Sequence, residues 1–336
     1  MMSESYRAAS PELPTLASRL RDEEHGIRLA AMAECLTVDE LPDGVAAALA
    51  EGLQDPDPGI RILAVEALPR CGREGSQPLI SALHVDQPTA VRTAAAAALA
   101  RMSPPALEAA EPLAGCLESE DETLRWHAGA ALGRLGEAAV PFLRPLIFTS
   151  GEATMLAALN VLGGMGAEAA DVLDDLKALD DSRPPPRVAL ACAAAQAAIT
   201  GDSAPLLPIL AMHLAGEDPR LREASLQLLA GLGGGAMPLL EEITGALEDP
   251  NARVRAAAAV TLARIEADPA RTVPLLIQRL DDSEAEVRGA AITALAHLGP
   301  RAGAALARLR ELQGTEEGPL QSMARAAEQR IDVGHA

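Results

Sequence analysis

The sequence predicts an all-α fold, a right-handed α-solenoid of about ten helix-turn-helix repeats, and three observations carry that expectation. First, a step in which an apolar residue or proline precedes arginine recurs at Arg28, Arg61, Arg92, Arg125, Arg187, Arg222, Arg255 and Arg288, with gaps of 33, 31, 33, 62, 35, 33 and 33 residues. A fixed period in that range marks a repeat array. Second, each step opens an alanine-rich stretch whose apolar residues recur at helical spacing. Third, 49% of the 336 residues are hydrophobic but only 1% are aromatic. The core must therefore come from Ala, Leu, Val and Ile, small side chains that let helices approach closely.

In chain order, the first four repeats carry Arg28, Arg61, Arg92 and Arg125. The 62-residue gap then holds two periods of 31, with Met155 where the fifth arginine would stand. Arg187, Arg222, Arg255 and Arg288 mark the sixth to ninth repeats, and Leu320-Gln321 occupies a degenerate tenth step. Within the eighth repeat, Asp249-Pro250 reads as a helix start, the carboxylate capping and the first-turn proline having no N–H to lose. Asp55-Pro56 repeats the signal, while Asp22, Asp181 and Asp282 supply the aspartate alone. Ahead of each such helix lies a shorter apolar segment, such as Val273 to Leu280 in the ninth repeat, and this is the first helix of the pair.

These periods predict a single array over residues 13–330, flanked by a poorly ordered segment at 1–12 and a tail at 331–336. The fifth repeat lacks both the Asp and the Arg. Gly163-Gly164 and Pro184-Pro185-Pro186 follow, so residues 149–187 are the expected weak point.

Charge and composition exclude several functions. With 28 basic against 48 acidic side chains the net charge is −20, which opposes the phosphate attraction that nucleic-acid binding requires. The lack of aromatic platforms points the same way. No run reads as the ~18 apolar residues needed to span a bilayer, so no membrane insertion is expected. Met1 to Arg7 is unlike a secretory signal. Cys35, Cys71, Cys116 and Cys192 form no C-x-x-C pair, and buried thiols in a reducing, cytoplasmic setting are the expectation. The six histidines lack metal-ligand spacing, and no nucleophile is paired with a base. No catalytic residue, metal or cofactor is predicted.

The recurring pattern of Asp, then Val-Arg-x-Ala-Ala, then Leu-x-x-Leu-Gly is seen in Leu280-Asp281-Asp282 through Val287-Arg288-Gly289-Ala290-Ala291 to Leu298-Gly299. It resembles HEAT repeats, with a short period similar to the subgroup named after phycobilisome lyases. The tetratricopeptide and ankyrin signatures are absent. Two enzyme groups built on HEAT repeats fit poorly: di-iron hydroxylases carry His-Glu dipeptides missing here, and DNA glycosylases are basic. The resemblance implies a non-catalytic protein-interaction scaffold or adaptor, with a bilin-lyase-like enzyme or lyase subunit that handles a tetrapyrrole as the alternative. It also implies that the eight-arginine ladder is structural, each Arg joining with an Asp to tie adjacent turns.

Aligning the second helices on the ladder arginine as position zero places Ala30-Ala31, Ala94-Ala95, Ala257-Ala258 and Ala290-Ala291 at positions two and three. Leucine recurs at position seven. These form the expected packed stripe. Positions one, five and nine lie on another face, which the resemblance places on the concave side. There Ile62, Trp126 and Leu156 accompany Arg70, Arg101 and Arg134, an apolar and basic strip suited to a partner segment with acidic residues and an apolar anchor.

Overall fold

The computed structural model describes residues 15–38, 41–42, 44–149, 151–265 and 268–332, and contains no β-strand among them. The expected disorder of residues 1–12 lies outside the described residues. Short first helices alternate with longer second helices, and only the second helices are numbered below.

The chain divides into two compact blocks, one ending at Ser182 and the other beginning at Arg183. This boundary falls inside the 149–187 segment and separates the two helices of the sixth repeat. In the N-terminal block the second helices are α1 (His25–Cys35), α2 (Pro58–Ala67), α3 (Thr89–Arg101), α4 (Glu122–Leu135) and α5 (Glu152–Met165). First helices such as Val45–Gly52 and Ala110–Cys116 lie between them, and Leu173–Asp181 closes the block. The C-terminal block holds α6 (Pro186–Thr200), α7 (Pro219–Leu232), α8 (Ala252–Arg264), α9 (Ala285–Leu298) and α10 (Pro319–Asp332).

Where Asp55-Pro56 and Asp249-Pro250 mark a start, the second helix begins two residues later than the sequence predicts, and Asp181 instead ends the helix Leu173–Asp181 ahead of α6. Asp57 caps α2, its carboxylate accepting from the N–H groups of Gly59 and Ile60 at 2.6 and 3.2 Å. Asn251 caps α8 through the N–H groups of Arg253 and Val254. Asp55 and Asp249 are therefore not the caps. Each instead accepts the N–H two residues on, at 2.9 Å from Asp57 and 2.8 Å from Asn251. That turn leaves the other carboxylate oxygen facing away from the helix start.

The ends of the second helices repeat one backbone shape. Gly136, Gly166, Gly233 and Gly299 have φ of 52–58° and ψ between −131° and −137°. Side chains other than hydrogen are strained there. Gly166 and Gly233 thus end their helices as the equivalent residues do elsewhere. Only this one glycine of each cluster terminates a helix, for Gly163, Gly164 and Gly231 lie within α5 and α7. Within residues 152–181 one 18-residue window reaches a mean hydropathy of 1.3, enough for a membrane span by length and composition alone. Gly166 breaks them into α5 and the next first helix.

Burial refines the stripe. Position three is sealed: Ala31, Ala95, Ala258 and Ala291 are all 0% exposed. Leu68, Leu132, Leu162, Leu229, Leu262 and Leu295 at position seven are equally sealed. Position two is not part of the core, for Ala30 is exposed and Ala94, Ala257 and Ala290 are half-buried. At the other end of the array, Ile331 is buried and α10 runs on to Asp332, so part of the expected tail is helix.

Candidate protein-interaction face

The ladder arginine sits on the first turn of a second helix, and its Nη1 turns back over the preceding inter-helix turn. In Arg28, Arg61, Arg125, Arg222, Arg255 and Arg288 it donates to the carbonyls six and five residues earlier, at 2.6–3.3 Å. The Nε and Nη2 edge is then free to reach forward. Arg28 meets Asp55, Arg222 meets Asp249 and Arg255 meets Asp282, each 27 residues on, with Nε–O distances of 2.7–2.8 Å. Arg288 pairs with Glu316 at 2.8 Å. Arg92 differs, donating from Nε to the Leu83 carbonyl. Arg187 lies on the first turn of α6.

These forks leave an electrostatic trace. Burial pushes the Asp249 carboxyl up, but hydrogen bonds from Arg222 and the Asn251 N–H outweigh it, and the group ends below the usual carboxylate range. Asp55 follows the same balance with Arg28. For Asp282 the Arg255 hydrogen bond is itself the largest influence, and the direction is again downward. Among the thiols, burial raises Cys71 to about 11 and also raises Cys35 and Cys116, which keeps them protonated and unreactive at neutral pH.

The strip of the N-terminal block is brought together only in part. Trp126, on the first turn of α4, is 68% exposed. Its ring meets His127 edge-on, with centroids 4.8 Å apart. Ile62 on α2 and Leu156 on α5 hold the same position and are half-buried. Arg101 ends α3, is exposed, and makes no hydrogen bond or ion pair among the described residues. Arg70 and Arg134 are not available in the same way. Arg70 Nη1 donates to the Val38 carbonyl at 2.7 Å and Arg134 Nη2 to the Met102 carbonyl at 3.3 Å, each 32 residues back. Both help join a repeat to the one before it. Positions one and nine are also separated by about 12 Å of helix, so the strip has an apolar end at Trp126 and a basic end at Arg101 rather than mixed neighbours.

A second feature, not singled out by the sequence, lies in the C-terminal block. A groove of about 320 Å³ runs over α7, α8 and α9, with Arg253 and Arg264 on its sides and alanines beneath. Arg264 is at position nine, so carrying the alignment past the midpoint finds it. Arg253 has no periodic signal.

Alternating helix pairs, tied at their turns by a periodic arginine, define an α-solenoid of helical repeats. The chain belongs to the HEAT-repeat family: the model described as HEAT repeats matches residues 13–100, 45–119, 76–150, 110–197, 203–296 and 240–327. Among solved structures, yeast importin-beta (Kap95p) is 12% identical, with 93% of this chain and 51% of that chain covered and a TM-score of 0.61. The Kap95:Nup1 complex is 13% identical, covering 95% and 51%, with a TM-score of 0.58. The complex of CpcE and CpcF of phycocyanin lyase from Nostoc sp. PCC7120 is 21% identical, covering 78% and 98%, at a TM-score of 0.41. At these identities the likeness is one of fold. The chain spans about half the length of the importin-beta chains. No curated protein sequence matches it.

Proposed function

We propose that the chain is a non-catalytic interaction scaffold that holds a protein segment on the second-helix face of its N-terminal block. One observation carries the reading. Every aromatic side chain among the described residues is on the surface: Trp126 is 68% exposed, Phe148 46% and Phe142 37%. Phe142 and Phe148 belong to first helices, whereas Trp126, the one tryptophan of the chain, stands on the second-helix face, and an exposed indole supports a contact surface there because aromatic anchors dominate binding energy. Trp126 supplies the apolar anchor and Arg101, at the far end of the neighbouring helix, the charge-assisted contact. The partner segment accordingly carries an apolar residue and an acidic one that can lie about 15 Å apart, from about 12 Å along the axis and about 9 Å between neighbouring helices.

The test is capture from the native host with the tagged full chain, followed by mass spectrometry. Trp126→Ala and Arg101→Glu are each expected to cut recovery of the co-purifying protein at least about tenfold, with the melting temperature almost unchanged. Undiminished recovery by both variants would move the binding surface elsewhere. The bilin-handling alternative is separated by absorbance. A shifted visible band and covalent attachment on incubation with bilin and an acceptor phycobiliprotein would replace the scaffold reading.

A further inference from the structure

The groove over α7, α8 and α9 belongs to the C-terminal block and involves none of the Trp126 strip. Its floor is small, with Ala256, Ala257 and Val260 from α8 and Ala290 from α9, so a backbone can lie close to the helices. Arg253 and Arg264 mark its two ends on α8, eleven residues or about 16 Å apart along the axis. Both are exposed, and neither side chain makes a hydrogen bond or ion pair among the described residues. Shortage of acid does not explain that, because the chain has 48 acidic against 28 basic residues. On the same helix Arg255 is closed onto Asp282, and Glu223 and Glu286 line the same groove without joining the two free arginines.

We infer that this groove takes an extended acidic peptide segment, with two carboxylates four residues apart, and so on one face of the segment, meeting Arg253 and Arg264, and small or β-branched residues lying between them on the alanine floor. The spacing follows from the geometry, since side chains on one face of an extended chain are an even number of residues apart, and at about 3.3 Å per residue four residues cover about 13 Å, with the two long arginine side chains spanning the rest. The acidic walls have a part in this. An extended backbone brings unpaired N–H groups, and Glu223 and Glu286 accept hydrogen bonds while Gln227, which already donates to Glu223 at 3.3 Å, keeps its carbonyl oxygen to accept another. The same carboxylates repel an acid placed inside the span, so the register of the two outer acids is selected.

The probe is a ten-residue fluorescein-labelled peptide with two glutamates four positions apart, separated by valine and alanine, titrated with the full chain at low salt and read by fluorescence anisotropy. Saturable binding is expected, weakened about tenfold by Arg253→Gln, by Arg264→Gln and by replacing both peptide glutamates with glutamine. A peptide with its two glutamates adjacent is expected to bind equally poorly. Trp126→Ala should leave the titration unchanged, which separates this site from the strip of the N-terminal block. Circular dichroism melting of the arginine variants, expected to match the parent chain, shows that the loss is one of binding. The inference is overturned by no saturable binding up to about 1 mM, by arginine variants that bind as the parent does, or by equal binding of the glutamine or adjacent-glutamate peptides.

Discussion

At the scale of single residues, Arg28, Arg222 and Arg255 each serve two repeats at once: Nη1 closes its own turn, and the Nε edge reaches 27 residues ahead to an aspartate. Arg255→Ala strands the part-buried Asp282 and leaves the carbonyls of Asp249 and Pro250 without a donor. The expected loss is about 2 kcal/mol in urea unfolding, and Arg255→Lys should recover only part of it because an ammonium cannot fork. Acid should act through the same carboxylates. Asp249 and Asp282 titrate lower when folded, so their stabilisation is complete above the unfolded value near 3.9 and fades as pH falls through the folded value. The urea midpoint is expected to be level from about pH 7 to 5 and to drop below about pH 4. A chain carrying both Arg222→Gln and Arg255→Gln should show a much smaller drop. The ladder was legible because the arginines recur at fixed spacing, but the expected Asp partner stands 27 residues on only for Arg28, Arg222 and Arg255. The engagement of Arg70 and Arg134 was not, because a backbone carbonyl as acceptor leaves no mark in the sequence.

Among the elements, the ends of the second helices are set by backbone shape as much as by packing. Gly231 and Gly233 make the contrast measurable within one turn of chain. Gly231 lies inside α7 with open space where a Cβ would be, whereas Gly233 has the same open space but φ of 52°. Gly231→Ala is expected to stabilise by roughly 0.5–1 kcal/mol, as the unfolded chain loses freedom and the helix loses none. Gly233→Ala should destabilise by roughly 1–3 kcal/mol on backbone strain alone. Thermal melts of the two single variants decide it, and equal shifts would mean that Gly233 is held by something other than its dihedrals. Helix existence and alternation were readable from apolar spacing, since the pattern at positions three and seven is strict. Helix starts were read two residues early, because an aspartate in a turn and an aspartate at a cap look alike in sequence. Only the geometry around Asp249 and Asn251 tells them apart.

For the whole molecule, stability in a repeat array is close to a sum of repeat and neighbour terms, so the repeat that lacks the arginine tying its own inter-helix turn should open first. Met155 stands where the fifth repeat would carry its arginine, and the block boundary at Ser182 and Arg183 follows closely. Hydrogen exchange is expected to be faster across 149–187 than in the repeats on either side; uniform protection would show that the missing arginine costs the array nothing. The ten-repeat count was legible from end to end. The division into blocks was not, because it turns on how densely neighbours touch rather than on any residue's identity. In the C-terminal block, Arg222 and Arg255 lie 33 residues apart, and each finds its aspartate at the same offset. Excising residues 223–255 would therefore bring Asp282 to the offset from Arg222 that Asp249 has now. The joint is indifferent to how many copies stand between its halves, so this part of the gene can lengthen or shorten by whole-module duplication or loss without creating a mismatched seam. The shortened chain is expected to fold with its helix content per residue preserved, as circular dichroism would report.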